Sequence, residues 1–200
     1  MQLKVSASLL NSWKYLWECP ESFQEKAYED FVNYLKRIKT PPTEAMQRGI
    51  DFEKLCDNGD VPIISGIIKG GQFQYYAEKI YKIDNQEFKL VGYLDCLKEG
   101  EIFDIKRNTR YEYGKYRTSY QHWCYFALVP EAFKFTYLIG SGYSKNPYDE
   151  SVEIHQESYE NNGTADYKVI SAIKQFVAWL KTMDLYDLYV KNFEIKENEK

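Results

Sequence analysis

A chain of 200 residues with 44% hydrophobic side chains can bury a core of its own, and 28% charged residues exclude a disordered or membrane-embedded class. No apolar run approaches the roughly 20 residues of a membrane helix, and Met1-Gln2-Leu3-Lys4 lacks the character of a signal peptide, so a cytoplasmic protein without a membrane partner is expected. The net charge of −4 disfavours general adhesion to phosphate polymers, so any such binding must rest on a local basic surface.

Four cysteines stand at positions 19, 56, 96 and 124, and the closest pair is 28 apart (124 − 96). No local metal-binding spacing exists, and free, mostly buried thiols are expected.

In chain order, Ser6 is a plausible helix cap, and Leu9, Leu10, Trp13, Leu16 and Trp17 follow at helical spacing. Pro20 interrupts, and Phe23, Ala27, Phe31, Tyr34, Leu35 and Ile38 continue a second stripe as far as Pro41-Pro42. Thr43 can cap a third helix through about Cys56. The character then changes: Val61 to Ile68 is apolar and β-branched, and Gly70-Gly71 marks a turn. Three strands are predicted next, over 72–83, 88–96 and 102–106, with turns at Asp84-Asn85 and Glu99-Gly100. They look like an antiparallel meander. A helix over 119–128 ends before Pro130, and 133–139 reads as an apolar strand. A Gly-, Ser-, Asn- and Pro-containing loop spans 140–149, an edge strand 151–156, and one long amphipathic helix 166–190. This order predicts an α/β fold with a mixed sheet between helices.

The chemistry concentrates around Asp95 and Asp104. They are nine residues apart across a tight turn, so neighbouring strands can bring them together. Asp104 and Lys106 are separated by one residue and share a strand face. Two carboxylates and an ammonium are costly to bury without a further cation. A hard divalent ion such as Mg²⁺ or Mn²⁺ would supply it. Taken alone, D-x-K is also a common salt-bridged surface pair. Between Lys106 and Arg117, basic residues (Arg107, Arg110, Lys115, Arg117) interleave with tyrosines, a composition suited to phosphates and unpaired bases. Gln121 and Tyr125 share a helix face. His122 points elsewhere and is not expected to act as a base, and His155 reads as a surface residue. Lys69-Gly70-Gly71-Gln72 reads as a plain hairpin turn rather than a phosphate loop.

Five segments, in order, resemble the PD-(D/E)XK nuclease superfamily, in particular its RecB-like and phage exonuclease branch. Ser8-Leu9-Leu10-Asn11-Ser12-Trp13 with Cys19-Pro20 and Phe23 resembles the N-terminal helix signature. Arg48-Gly49-Ile50-Asp51-Phe52-Glu53 resembles the first motif, Gly92-Tyr93-Leu94-Asp95 the second, Asp104-Ile105-Lys106 the third, and Gln121-His122-Trp123-Cys124-Tyr125 the fourth. Glu53 stands where many RecB-like enzymes carry histidine, as in phage relatives. No cysteine follows Cys124, so no iron–sulfur cluster is expected.

The resemblance implies a restriction-endonuclease-like core (helix, three-stranded meander, helix, strand) with extra terminal helices. It implies one nuclease domain over 1–200, divided into a helical part over 1–42, a catalytic core over 43–140, and an edge strand with a C-terminal helix over 141–200. It further implies hydrolysis of DNA, with an exonuclease of phage or prophage recombination or repair as the best match. Glu53, Asp95, Asp104 and the Ile105 carbonyl would hold metal, Lys106 would place the attacking water, and Gln121 and Tyr125 would support the site. A homo-oligomer or a phage recombination partner is compatible with it. The competing expectation is a catalytically silent DNA-binding or assembly module on the same fold.

Overall fold

The computed structural model describes residues 1–142 and 152–196. Its six strands form one mixed sheet: β1 (Gln2–Ser6), β2 (Gln72–Ile83), β3 (Gln86–Lys98), β4 (Glu101–Asn108), β5 (Lys134–Ser141) and β6 (Glu153–Glu160). The helices are α1 (Ala7–Glu18), α2 (Gln24–Leu35), α3 (Glu44–Asn58), α4 (Pro62–Ile68), α5 (Tyr120–Leu128), α6 (Ala165–Thr182) and α7 (Tyr186–Phe193).

The sheet forks. β2 covers one edge of β3 along its length, from Gln72 against Leu97 to Ile83 against Gln86. The other edge of β3 is shared. Its first half takes β1 in parallel, from Gln2 against Glu87 to Ser6 against Val91. Its last residues take β4 antiparallel over only three pairs, Cys96–Phe103, Leu97–Ile102 and Lys98–Glu101. The stretch from Gly92 to Asp95 has no ladder partner on that edge. β4 turns away there and pairs in parallel with β5 from Glu101–Lys134 to Asn108–Ser141, and β6 closes the far side antiparallel.

Two cores hold the fork in place. The larger packs α1, α2, α5 and α6 on one face, with Leu9, Leu10, Trp13, Phe31, Phe126 and Phe176 buried. The smaller lies on the opposite face, where Phe52 and Cys56 of α3 and Ile64 and Ile68 of α4 cover Cys96, Phe103, Ile105 and Leu138. Each fully buried side chain of this kind stabilises by about 1.5–3 kcal/mol. Because β4 alternates, Ile102 and Asp104 share one face while Phe103 and Ile105 turn to the other.

The expected caps form: Ser6 Oγ accepts from Leu9 N–H at 3.2 Å, and Thr43 Oγ1 from Met46 N–H at 3.2 Å. Several expectations are corrected. The part over 1–42 is not wholly helical, because Gln2–Ser6 joins the sheet with Leu3 and Val5 turned inward. The β-branched run after Val61, to which the sequence assigned no element, is a helix: Pro62 begins it, and Ile64 and Ile68, one turn apart, bury against α3 and the sheet. The second helix stops at Leu35, where Arg37 takes φ 58°. The long C-terminal helix breaks at Asp184 (φ 55°) into α6 and α7, letting α7 fold back so that Tyr189 OH donates to Lys4 O at 2.9 Å. The edge strand runs to Glu160 rather than ending near 156. Residues 143–149 of the expected loop, and Ser151, lie outside the described residues. All four cysteines are buried and free. No helix among the described residues is long and apolar enough to cross a membrane.

Candidate active site

Asp95 stands where the two strands part. Its Oδ2 accepts from Ile105 N–H at 2.8 Å, so a side chain takes over where the backbone ladder stops. Asp104 is fully buried. Its Oδ1 accepts a short hydrogen bond from Gln121 Nε2 of α5, and its Oδ2 is ion-paired with Lys106 Nζ. Glu53 reaches the same region from α3, with Gln74 Nε2 donating to its Oε1 at 2.8 Å.

The charges are strongly interdependent. Burial pushes the Asp104 carboxyl well above its usual range; Asp95 and Glu53 add to this, and Lys106 opposes it. Burial likewise raises Asp95, against the pull of Lys106 and the Ile105 N–H. Glu53 is pushed up to about 7, first by partial burial and then by the charges of Asp95 and Asp57. Burial works against the Lys106 ammonium, but Asp104 and Asp95 outweigh it and hold its pKa above the ordinary value. Asp104 and Asp95 thus share one ammonium, with Glu53 close enough to feel both Asp95 and Lys106. Burial of such an excess of negative charge is unfavourable unless a further cation joins it.

The donor chemistry fits a hard divalent ion: carboxylate oxygens from three elements, a buried Asp104 whose Oδ2 meets the Lys106 ammonium, and the Ile105 carbonyl on the intervening residue. As they stand, no three His, Cys, Asp or Glu side chains among the described residues are grouped closely enough to hold a metal ion.

Gln121 and Tyr125 occupy one side of α5 with different tasks. Gln121 holds Asp104, while Tyr125 OH donates to Tyr93 O at 2.9 Å, tying α5 to the unpaired stretch of β3. That approach is close enough to require Gly92: a Cβ there would meet Leu128 Cδ1 at 2.7 Å and Tyr125 Cε1 at 3.0 Å. Lys106, Gln121 and Tyr125 open onto a cleft of about 500 Å³ whose other wall includes Lys4, Ser6, Ser8 and Arg37. Sequence reasoning missed Lys4 and Arg37 as cleft residues and Asp57 as a neighbour in charge; nothing in their spacing marks them. Asn11 was quoted only as part of a signature. Its Oδ1 accepts from Tyr120 N–H at 2.9 Å and so fixes the start of α5 against α1.

The basic segment divides. Arg107 is half-buried, donates to Asn108 O and Gly140 O, and lies 5.7 Å over the Phe52 ring. Arg110, Lys115 and Arg117 are exposed. Tyr111 stacks on His155 and Tyr116 on Tyr137, so of the intervening tyrosines only Tyr113, at 85% exposure, presents a ring to solvent.

His122 is buried away from these carboxylates, stacked on Tyr159 at 4.4 Å, with Nδ1 lacking a hydrogen-bond partner. Burial, and then the Lys14 charge, lowers its pKa to about 4. A lowered folded pKa means that the unfolded chain takes the proton first as pH falls. Its contribution is therefore complete above about pH 6.5 and is lost towards pH 4, on the order of 3 kcal/mol. Urea unfolding at pH 7.5 and 4.5 should show a shallower pH slope in His122→Phe than in the wild type; equal slopes would contradict this assignment. His155 is half-buried on β6, with Nε2 2.9 Å from Ser141 Oγ.

No protein-family profile matches the chain, and no curated protein matches it in sequence. Solved structures do. The alkaline exonuclease LHK-Exo from Laribacter hongkongensis is 13% identical, with TM-score 0.53, covering 94% of this chain and 92% of that one. LHK-Exo in complex with dAMP is 15% identical, also with TM-score 0.53 and the same coverage. At this identity the likeness defines the class of fold: a mixed α/β sheet flanked by helices, shared with an exonuclease over nearly the whole of both chains.

Proposed function

We propose that the protein is a Mg²⁺- or Mn²⁺-dependent deoxyribonuclease, with exonuclease action favoured over endonuclease action. The observation that carries this reading is the fork of the sheet, where Asp95, Asp104 and Lys106 meet within an exonuclease-like fold. Glu53, Asp95, Asp104 and the Ile105 carbonyl are the residues that would hold the ion. When bound, it acidifies the attacking water and neutralises charge on the phosphoryl group in an in-line displacement. Lys106 orients the water and stabilises charge developing on the phosphate oxygens. Gln121 fixes the carboxylate plane of Asp104, and Tyr125 locks α5 onto β3 behind it. Arg107, Arg110, Lys115 and Arg117 line the approach of DNA. The dAMP bound to the structural neighbour supports a nucleotide-containing substrate. A role in phage or prophage recombination or repair, with assembly into a homo-oligomer or with a recombination partner, extends the same reading.

A catalytically silent DNA-binding module is the second reading. A binder gains nothing from a buried and a half-buried carboxylate set beside a half-buried lysine, with Glu53 near them, which disfavours it. The deciding assay incubates the full chain with end-labelled linear and covalently closed circular DNA, with Mg²⁺, Mn²⁺ or EDTA. The expected result is metal-dependent loss of the linear substrate and survival of the circle. Cleavage of both at equal rates would make it an endonuclease, and loss of neither would leave only the binding module.

A further inference from the structure

We infer that Tyr76 of β2 and Tyr93 of β3 form a stacking platform for unpaired bases of the DNA strand that reaches the fork. The inference rests on the nuclease reading and adds to it a grip on the bases themselves.

Both tyrosines stand on a bare part of the sheet. Leu94 is buried in the larger core, so its neighbour Tyr93 turns to the opposite face. The core beneath α3 and α4 takes Cys96, Phe103, Ile105 and Leu138 from the sheet, and no residue of β2 is among its described members. Tyr76 is the register partner of Tyr93, and the two rings lie 5.0 Å apart at 46°. They open at an angle instead of closing on each other. Tyr76 is 45% exposed and Tyr93 58%, so ring surface is left uncovered.

The rings are held in position. Tyr76 OH donates a short hydrogen bond to Glu78 Oε2, and Lys89 Nζ pairs with the same oxygen at 2.7 Å. The backbone of Tyr93 is fixed from behind, where its carbonyl accepts from Tyr125 OH at 2.9 Å. A planar ligand laid on such rings costs little further ordering of the protein.

Position, charge and size select a base as that ligand. Tyr93 precedes Asp95 by two residues, roughly 7 Å along the strand. Gln74, two residues before Tyr76, donates to Glu53 Oε1. Both strands of the platform therefore lead into the candidate metal site. Tyr93 also lines the cleft that holds Lys4, Arg37 and Lys106, the last already paired with Asp104, and no carboxylate is among the described residues lining that cleft. A phosphate backbone can follow the cleft while its bases turn to the rings. The exposed apolar area of Tyr76, Tyr93 and Ile80 comes to at most a few hundred Å². A stable protein interface needs about 1,000 Å². The patch suits one or two stacked bases and is too small for a second copy of the chain.

The test measures binding of a labelled oligothymidylate of about 12 nucleotides, within the usual site sizes of single-strand binders, to the full chain in Ca²⁺. A strand of the same length with abasic sites throughout is the second probe. Tyr76→Ala/Tyr93→Ala should bind the base-bearing strand about tenfold more weakly, the effect of one lost stacked base. It should bind the abasic strand as the wild type does. Tyr76→Phe/Tyr93→Phe, which keeps both rings, should retain the wild-type preference for bases. Equal binding of the base-bearing strand by the wild type and a folded alanine variant overturns the platform. So does an equal loss on both strands, which would assign the tyrosines to the sugar–phosphate backbone or to the fold. A changed sedimentation coefficient in the alanine variant would assign the rings to a contact between copies, and also overturns it. Failure of the platform with wild-type cleavage intact leaves the nuclease reading standing. Ring-dependent binding of bases by a wild type that cleaves no DNA in Mg²⁺ or Mn²⁺ keeps the platform and overturns the nuclease reading.

Discussion

Lys106→Ala should lower the rate of DNA cleavage by about 10²–10³-fold or more, the loss typical of removing one preorganised electrostatic group from a reacting site. The fold should survive. Lys106 is the counter-ion of a fully buried carboxylate, so its removal leaves Asp104 with an unpaired charge. Burial has already raised that carboxyl, and it answers by keeping a proton rather than by unfolding the domain. Circular dichroism and a thermal melt should therefore resemble the wild type while single-turnover cleavage collapses. Cleavage at the wild-type rate would reduce Lys106 to a structural ion-pair partner.

Phe52→Ala should be the most costly of the substitutions considered for stability. Phe52 is 1% exposed, packs against the bare backbone of Gly140, and lies under the Arg107 guanidinium. Its truncation opens a cavity in the smaller core, which has few other large side chains to collapse into the space. The expected loss is about 3–5 kcal/mol, or a melting temperature lower by about 10 °C for a domain of this size. Glu53 is the next residue on α3, so cleavage should fall below what the remaining folded fraction explains. A melting temperature lowered by less than about 2 °C, the range of surface substitutions, would show that α3 is not held by this contact.

Much of this organisation was legible in the sequence, for reasons that are local. Ser6 and Thr43 cap helices because their hydroxyls can accept N–H groups three residues on, and that depends only on near neighbours. Strands β2, β3 and β4 follow from alternating apolar residues and from the turns at Asp84-Asn85 and Glu99-Gly100, all four of which take positive φ. The juxtaposition of Asp95, Asp104 and Lys106 follows from nine residues across one of those turns.

What escaped the sequence depends on contacts made at a distance. Gln2–Ser6 is too short to declare itself; it becomes a strand because β3 offers a free edge. The run after Val61 has β-branched residues that suit a strand, yet Pro62 and the packing of Ile64 and Ile68 make it helical. The break at Asp184 carries no Pro or Gly to announce it. The hydrogen bond from Gln121 to Asp104 joins residues 17 apart, and the three-pair limit of β3 against β4 opens the fork. Helical and β periodicity describe which face a residue takes, not where two strands separate.

The central claim is that the fork of the sheet is a metal-binding catalytic centre, and calorimetric titration of Mn²⁺ tests it most directly. The titration uses the full chain and its Asp95→Asn/Asp104→Asn variant, with a thermal melt on each sample. Saturable Mn²⁺ binding should raise the melting temperature of the wild type, and both effects should be lost in a variant that remains folded. Equal Mn²⁺ binding by the two proteins, or none by either, would contradict it.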